Sequence, residues 1–150
     1  MAGCCFIGHK KCPEEIRIPL LENIKNLISN GVVDFYVGTQ GDFDRTVYNV
    51  LREIKKTHSV NIYVVLAYLH RAPETPYFNM CDTIFPDELT TTPIRFAIRR
   101  RNSYMINKSD YVIAYLDSPF SNTIVNIEEA LKKKKRIINL GKYNIDKITV

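Results

Sequence analysis

The sequence predicts an α/β domain in which a mainly parallel, five-stranded sheet lies between two layers of helices. Two observations lead to this prediction. Short apolar runs of strand length alternate along the chain with segments whose apolar residues recur at helical spacing. Strands that are separated by helices pair in parallel through right-handed crossovers. The helices then cover both faces of the sheet, which gives a three-layer sandwich.

The first half of the chain contains three predicted strands and two predicted helices. The strands are expected at residues 3–7, 33–37 and 60–69, which are apolar, alternating or β-branched runs. The first helix carries apolar residues at helical spacing, Leu20, Leu21, Ile24, Leu27 and Ile28, and stops at Asn30-Gly31. The second helix shows Phe43, Val47, Val50, Leu51 and Ile54 on one face and ends near Thr57. This half is therefore expected to alternate strand and helix.

The second half begins with a break in the pattern. Residues 70–92 hold three prolines and the isolated aromatics Tyr77, Phe78 and Phe85, so we expect a long, lid-like loop there. Helices are then predicted at about 93–108 and 121–133, and strands at 111–116 and 136–140. Residues 141–150 are expected to form a tail or a short extra strand. The order of elements predicts a Rossmann-like sheet.

The length and composition of the chain are typical of a single globular domain. The chain has 150 residues and a mass of 17.4 kDa, which suits a single domain over residues 1–150. Hydrophobic content of 45% and charged content of 25% are ordinary for a globular protein, and no apolar run approaches the ~20 residues needed to cross a bilayer. The opening residues show no signal peptide. We expect a cytoplasmic protein without a membrane partner.

Charge and cysteine content argue against two other classes. The net charge of +5 is concentrated at residues 99–101 and 132–136, but these basic runs are not interleaved with aromatics, so nucleic-acid binding is unlikely. The four cysteines, Cys4, Cys5, Cys12 and Cys81, show no paired CxxC spacing. Reduced, structural thiols are therefore expected, with no metal site and no bound cofactor.

Three loops follow predicted strands and are rich in small or hydrogen-bonding residues. They are Gly8-His9-Lys10, Gly38-Thr39-Gln40-Gly41 and the segment 118–123. In parallel sheets, ligands bind outside the carboxyl ends of the strands, where the strand order reverses. The turn Gly38–Gly41 between a strand and a helix also has the form of a phosphate-binding corner, although two glycines there are equally typical of a tight connection. Together the loops predict a binding site.

Several stretches then carry a family resemblance. These are CCFIGHK at 4–10, FYVGTQGDFDRTVYNVLREIKK at 35–56, VVLAYL at 64–69, DTIFP at 82–86 and RFAIRRRNSYMINKSDYVIAYL at 95–116. In combination they resemble the SLOG superfamily, which joins DNA-processing protein A and the LONELY GUY phosphoribohydrolases. The similarity covers about residues 3–141 and is closest to small stand-alone SLOG proteins of bacteria or phages. It implies a Rossmann-like fold that holds a nucleotide or nucleotide-derived ligand.

The resemblance and the loops together define a candidate ligand-binding set. Its members lie at or near strand ends: Gly8, His9, Lys10, Gly38, Thr39, Gln40, Gly41, Asp44, Arg101, Asn102, Ser118, Ser121, Asn122 and Thr123. Relatives usually have a Gly-Gly pair after the fourth of the predicted strands, and this chain has no glycine there. Phosphoribohydrolases also place a glutamate three residues after the threonine, where this chain has Asn126. No catalytic residue is therefore assigned.

Alternatives remain open for the individual candidates. His9 is equally typical of a general base, a phosphate donor or a hydrogen-bonded loop residue. Asp44 suits a ribose hydroxyl or the amides at the helix start, and Lys10 faces ligand or solvent. The arginines 99–101 span most of a helical turn, so at most two face a ligand, and the resemblance selects Arg101. The loop aromatics stack on a base or pack against the core.

The sequence thus favours binding over catalysis. The predicted function is to sense or sequester a signalling nucleotide, such as an ADP-ribose derivative, in phage-defence or anti-defence signalling. The alternative is a nucleoside-monophosphate N-glycosidase that uses His9 or Asp44 in place of the family glutamate. A DNA-associated domain ranks last. The expected partners are a nucleotide-derived small molecule and further copies of the chain in a homo-oligomer.

Overall fold

The structure, a computed structural model, describes residues 2–68 and 82–149. Its strands are β1 (Gly3–Gly8), β2 (Asp34–Val37), β3 (Asn61–Val65), β4 (Asp82–Ile84), β5 (Tyr111–Tyr115) and β6 (Arg136–Asn139). Its α-helices are α1 (Arg17–Ser29), α2 (Gly41–Lys55), α3 (Ala97–Lys108) and α4 (Thr123–Lys132). Short 3-10 helices cover Glu14–Ile16, Asp87–Thr90, Ile94–Phe96 and Ile145–Lys147. The alternation predicted from the sequence is confirmed.

All strand pairs are parallel, and the strand order is β4-β3-β2-β1-β5-β6. The chain first runs outward from β1 to β4 and then returns to the other side of β1 with β5 and β6. The order of the strands therefore reverses between β1 and β5. This reversal is the topological switch point at which ligands bind in open α/β sheets.

The sheet has six strands rather than the predicted five, and the extra strand is β4. It lies in the segment 70–92 that was expected to be a loop. Asp82 and Thr83 are exposed, so β4 lacks the apolar run by which the other strands were recognised. Parallel pairing with β3 creates this strand. Residues 69–81, including Tyr77, Phe78 and Cys81, lie outside the described residues, and Phe85 packs partly buried against the core.

Alternating residues of the strands pack into two hydrophobic cores, one on each face of the sheet. Cys4 and Phe6 face the helices α1 and α2, while Cys5 and Ile7 face α3 and α4. This alternation of a doubly covered sheet explains why β1 is apolar throughout. No helix among the described residues is long and apolar enough to span a membrane.

Candidate functional site

His9 joins the two central loops at the switch point. Its backbone N–H donates to the Tyr115 carbonyl at 3.2 Å, and its ring accepts a hydrogen bond at Nε2 from the Asp117 N–H at 2.8 Å. The ring also meets Tyr115 edge-on, with 5.6 Å between ring centroids. Burial lowers the pKa of His9, against an opposing effect of Asp117. A neutral His9 with its proton on Nδ1 fits these contacts, so His9 is a hydrogen-bonded loop residue that ties β1 to β5.

The turn Gly38–Gly41 uses its backbone amides within the chain. The Gln40 N–H donates to Asp44 Oδ2 at 2.8 Å, and the Asp42 N–H donates to the Lys10 carbonyl. Gly41 has φ +84°, and a Cβ on it would lie 2.6 Å from the Cα of Lys10. The predicted glycine is thus needed for both its conformation and its contact with the neighbouring loop. The Lys10 side chain itself is exposed.

Asp44 and Arg101 lie beneath this turn, on either side of Gly38. Asp44 is 7% exposed and Arg101 is 2% exposed. A Cβ on Gly38 would lie 2.5 Å from Arg101 Nη1 and 2.8 Å from Asp44 Oδ2. Gly38 therefore allows a buried cation and a buried carboxyl group to approach the same backbone position.

Hydrogen bonds fix the Arg101 guanidinium in this place. Nη1 donates to the Val65 carbonyl at the end of β3 at 3.1 Å, and Nε donates to Asn102 Oδ1 at 2.9 Å. Arg99 and Arg100 are exposed, so Arg101 is the member of the arginine run that points inward. Burial raises the pKa of Asp44 to about 6, although Arg101 acts in the opposite direction. Burial likewise lowers the pKa of Arg101, which Asp44 partly offsets.

The loop between β5 and α4 has a different character. Ser118 Oγ accepts a hydrogen bond from the Phe120 N–H at 3.2 Å. The N-cap residue of α4, Asn122, makes no side-chain capping bond, and the first turn of α4 has no acidic residue. Two buried polar atoms have no hydrogen-bond partner, Ser121 Oγ and Asn126 Oδ1. Within the described structure, the buried side-chain atoms without a partner therefore lie just before and within the first turn of α4.

Asn126 is 5% exposed and shares the buried face of α4 with Thr123, Ile127 and Ala130. It lies one turn into the helix, at the position where the resemblance expects a glutamate. An amide cannot take a proton from water or stabilise a cationic sugar as a carboxylate does. Within the described residues, no group of three His, Cys, Asp or Glu side chains could hold a metal ion.

The predicted site residues thus form two groups. Gly38, Thr39, Gln40, Gly41, Asp44, Arg101 and Asn102 belong to the corner at the ends of β2 and β3, and Ser118, Ser121, Asn122 and Thr123 belong to the loop before α4. Gly8, His9 and Lys10 lie between the two groups, because β1 lies between β2 and β5. Sequence reasoning missed Asp117 and the Val65 carbonyl, which are backbone partners with no side-chain signal.

Comparison with known proteins supports this architecture. DNA processing protein A from Streptococcus pneumoniae matches with a TM-score of 0.72 and 13% identity over 97% of this chain and 52% of that chain. The molybdenum cofactor carrier protein from Chlamydomonas reinhardtii matches with a TM-score of 0.64 and 14% identity, over 95% of this chain and 79% of that chain. DNA processing protein A from Helicobacter pylori, in a structure described by its single-stranded DNA binding mode, matches with a TM-score of 0.65 and 15% identity. That match covers 95% of this chain and 66% of the Helicobacter chain.

These similarities concern the fold. This chain spans about half the length of the Streptococcus protein. No protein-family model matches the sequence, and no curated protein matches it. The fold that the resemblance implied is confirmed, at sequence identities of 13–15%. The chain therefore has a Rossmann-like fold similar to that of DNA processing protein A.

Proposed function

We propose that this protein binds a nucleotide-derived small molecule at the carboxyl edge of its sheet, with the ligand's phosphate at the start of α4. The observation that carries the proposal is the pair of unpartnered buried atoms, Ser121 Oγ and Asn126 Oδ1. A buried polar group without a partner costs about 1–3 kcal/mol. A ligand recovers that free energy if its phosphate accepts a hydrogen bond from the Ser121 hydroxyl and one of its own hydroxyl groups donates to Asn126 Oδ1.

The start of α4 differs from the start of α2, and this difference supports placing the phosphate at α4. The first turn of α2 carries Asp42 and Asp44, so its positive end is already matched by carboxyl groups of the chain. The first turn of α4 has no acidic residue and no side-chain cap. The Ile124 and Val125 N–H groups donate to the Ser121 and Asn122 carbonyls, so the helix dipole and the Ser121 hydroxyl are what would stabilise an anion here.

Arg101 and His9 take supporting roles in this proposal. Arg101 is buried and donates to Val65 and Asn102, so its charge favours an anion through the field at this edge rather than by an exposed contact. His9 holds the β5 loop in place through the Asp117 N–H. With Asn126 in the place of a catalytic carboxylate, the ligand is bound and not cleaved, which suits sensing or sequestration of a signalling nucleotide.

Binding of single-stranded DNA is the second candidate, because one neighbour is described by that activity. The exposed basic residues 132–134 and Arg136 lie at the end of α4 and the start of β6. That is the amino edge of the sheet, opposite the unsatisfied loop. A DNA strand held by these lysines would therefore not use the proposed ligand site.

The experiment is to denature freshly purified protein, analyse the supernatant by mass spectrometry, and measure melting with nucleotides, ADP-ribose and its cyclic forms. An intact co-purified nucleotide supports the proposal, and stabilisation should be about 2.7 kcal/mol at a hundredfold excess over Kd. Asn126→Leu should abolish this shift, whereas Lys132→Leu, at the opposite edge, should keep it.

Other outcomes select other functions. Release of free base from an added nucleoside monophosphate would establish the N-glycosidase alternative. Oligonucleotide binding that weakens steeply with salt and is lost in Lys132→Leu would establish DNA binding. Absence of any ligand-induced shift would refute the proposed function. Light scattering tests the accompanying proposal of a homo-oligomer, and cell fractionation tests the cytoplasmic location.

A further inference from the structure

Phe120 is the large apolar side chain most exposed to solvent in the described structure. Phe120 is 93% exposed, although phenylalanine is usually buried in a hydrophobic core. It directly precedes Ser121, whose hydroxyl is buried and unpartnered, and lies three residues before the start of α4. An exposed aromatic ring thus directly precedes, in the chain, a residue whose buried hydroxyl has no partner.

The helices α3 and α4 bring a second exposed ring to the same end of the domain. Ser103 Oγ donates to Glu129 Oε1 at 2.7 Å, and Lys133 Nζ donates to Asn107 Oδ1 at 2.6 Å. Both pairs are separated by 26 residues, so the two helices run parallel in a fixed register. Phe96 directly precedes α3, so it lies at the end of the domain where α4 also starts. Phe96 is 45% exposed, and the Arg95 guanidinium lies 4.8 Å from its ring centroid.

We propose that Phe120 is the base-stacking residue of the site, and that the ligand is a 5′-phosphorylated nucleoside whose base lies on this ring. The inference rests on the proposed function, because it takes the phosphate to be at the start of α4. Every nucleobase has a flat, polarisable face that stacks on an aromatic ring, and stacking removes both surfaces from water. Phe96 already meets a cation and serves as the comparison residue.

The test compares ligands with and without a base. Binding of ribose 5-phosphate and of the four nucleoside 5′-monophosphates is measured by calorimetry on wild type, Phe120→Ala, Phe120→Tyr and Phe96→Ala. We expect Phe120→Ala to weaken the tightest nucleotide by about 5- to 150-fold, the range that base–aromatic stacking supplies. Binding of ribose 5-phosphate should not change. Phe120→Tyr and Phe96→Ala should remain near wild type. The exposure of Phe120 leaves folding unaffected by its replacement.

Tryptophan fluorescence at position 120 reports whether a bound base contacts the ring. The chain has no tryptophan, so Phe120→Trp introduces a single reporter. Nucleotides should quench its emission and ribose 5-phosphate should not, whereas Phe96→Trp should respond to neither. Equal weakening of both ligand types in Phe120→Ala, or equal wild-type affinity for both, would overturn the stacking role while leaving phosphate binding intact. If wild type binds none of the five compounds but is stabilised by ADP-ribose or its cyclic forms, the stacking proposal fails and the proposed function stands. If no compound of either panel binds, both fail.

Discussion

The corner beneath Gly38 and the loop before α4 lie at the same edge of the sheet, but they differ in how their polar groups are satisfied. In the corner, Asp44 accepts from the Gln40 N–H, and Arg101 donates to Val65 and Asn102. In the loop, Ser121 Oγ and Asn126 Oδ1 have no partner. The side chains of the corner are bonded within the chain, whereas the start of α4 is where we propose that a ligand binds.

Removal of Arg101 should show the largest effect on the corner. Arg101→Met leaves the Asp44 carboxylate buried without its cation, and we expect the free energy of unfolding to fall by about 3–5 kcal/mol. Urea denaturation measures it. The matched control is Arg100→Met, an exposed neighbour, for which the change should stay within about 0.5 kcal/mol. If the two variants lose equal stability, Arg101 does not hold the corner together.

The pH dependence of stability isolates Asp44. Burial raises the pKa of Asp44 from 3.8 to about 6, so the folded state binds this proton more tightly than the unfolded chain. The contribution of Asp44 to stability is therefore greatest below pH 4 and falls by about 2–3 kcal/mol as pH rises to about 6.

The free energy of unfolding of wild type minus that of Asp44→Asn, measured by urea denaturation from pH 3.5 to 7.5, should fall in this way. His9, whose pKa is lowered, contributes the opposite trend but is present in both proteins, so it cancels in the difference. A difference that stays constant with pH would mean that Asp44 titrates normally.

Gly38→Ala tests the close approach itself. The new Cβ would lie 2.5 Å from Arg101 Nη1, so we expect a loss of about 1–3 kcal/mol from overpacking. Because the nearest atoms belong to Arg101, the same substitution should cost less in the Arg101→Met background. A double-mutant cycle by chemical denaturation measures this coupling. Strictly additive losses would show that the guanidinium is not what excludes a side chain at Gly38.

Asn126→Leu should change stability in the opposite direction. The substitution replaces a buried amide whose Oδ1 has no partner by an apolar group of similar size, and we expect the ligand-free protein to gain about 1 kcal/mol. The same variant should lose the thermal shift given by the ligand. A loss of stability without ligand would show that Asn126 is satisfied within the chain, and the contrast between the two regions would disappear.

The sequence by itself determined the alternation of strands and helices, because β1, β2, β3, β5 and β6 and all four helices carry their own apolar patterns. It also determined which loops lie at the carboxyl edge, since that follows from parallel strand order. Strand β4 was not predicted, because its exposed residues Asp82 and Thr83 show no apolar pattern. It forms by parallel pairing with β3.

Only the tertiary structure decided which candidates are hydrogen-bonded within the chain. The turn Gly38–Gly41 was predicted as a phosphate corner or a tight connection; its Gln40 amide is bonded to Asp44, and the first amide after the turn, that of Asp42, is bonded to Lys10. Likewise, the place of His9 depends on the Asp117 N–H, which is 108 residues away in the chain. Hydrogen-bond partners distant in sequence leave no local pattern, because packing of the whole sheet brings them together. Whether a polar group is satisfied is thus a property of the fold, and at the start of α4 the fold leaves two of them unsatisfied.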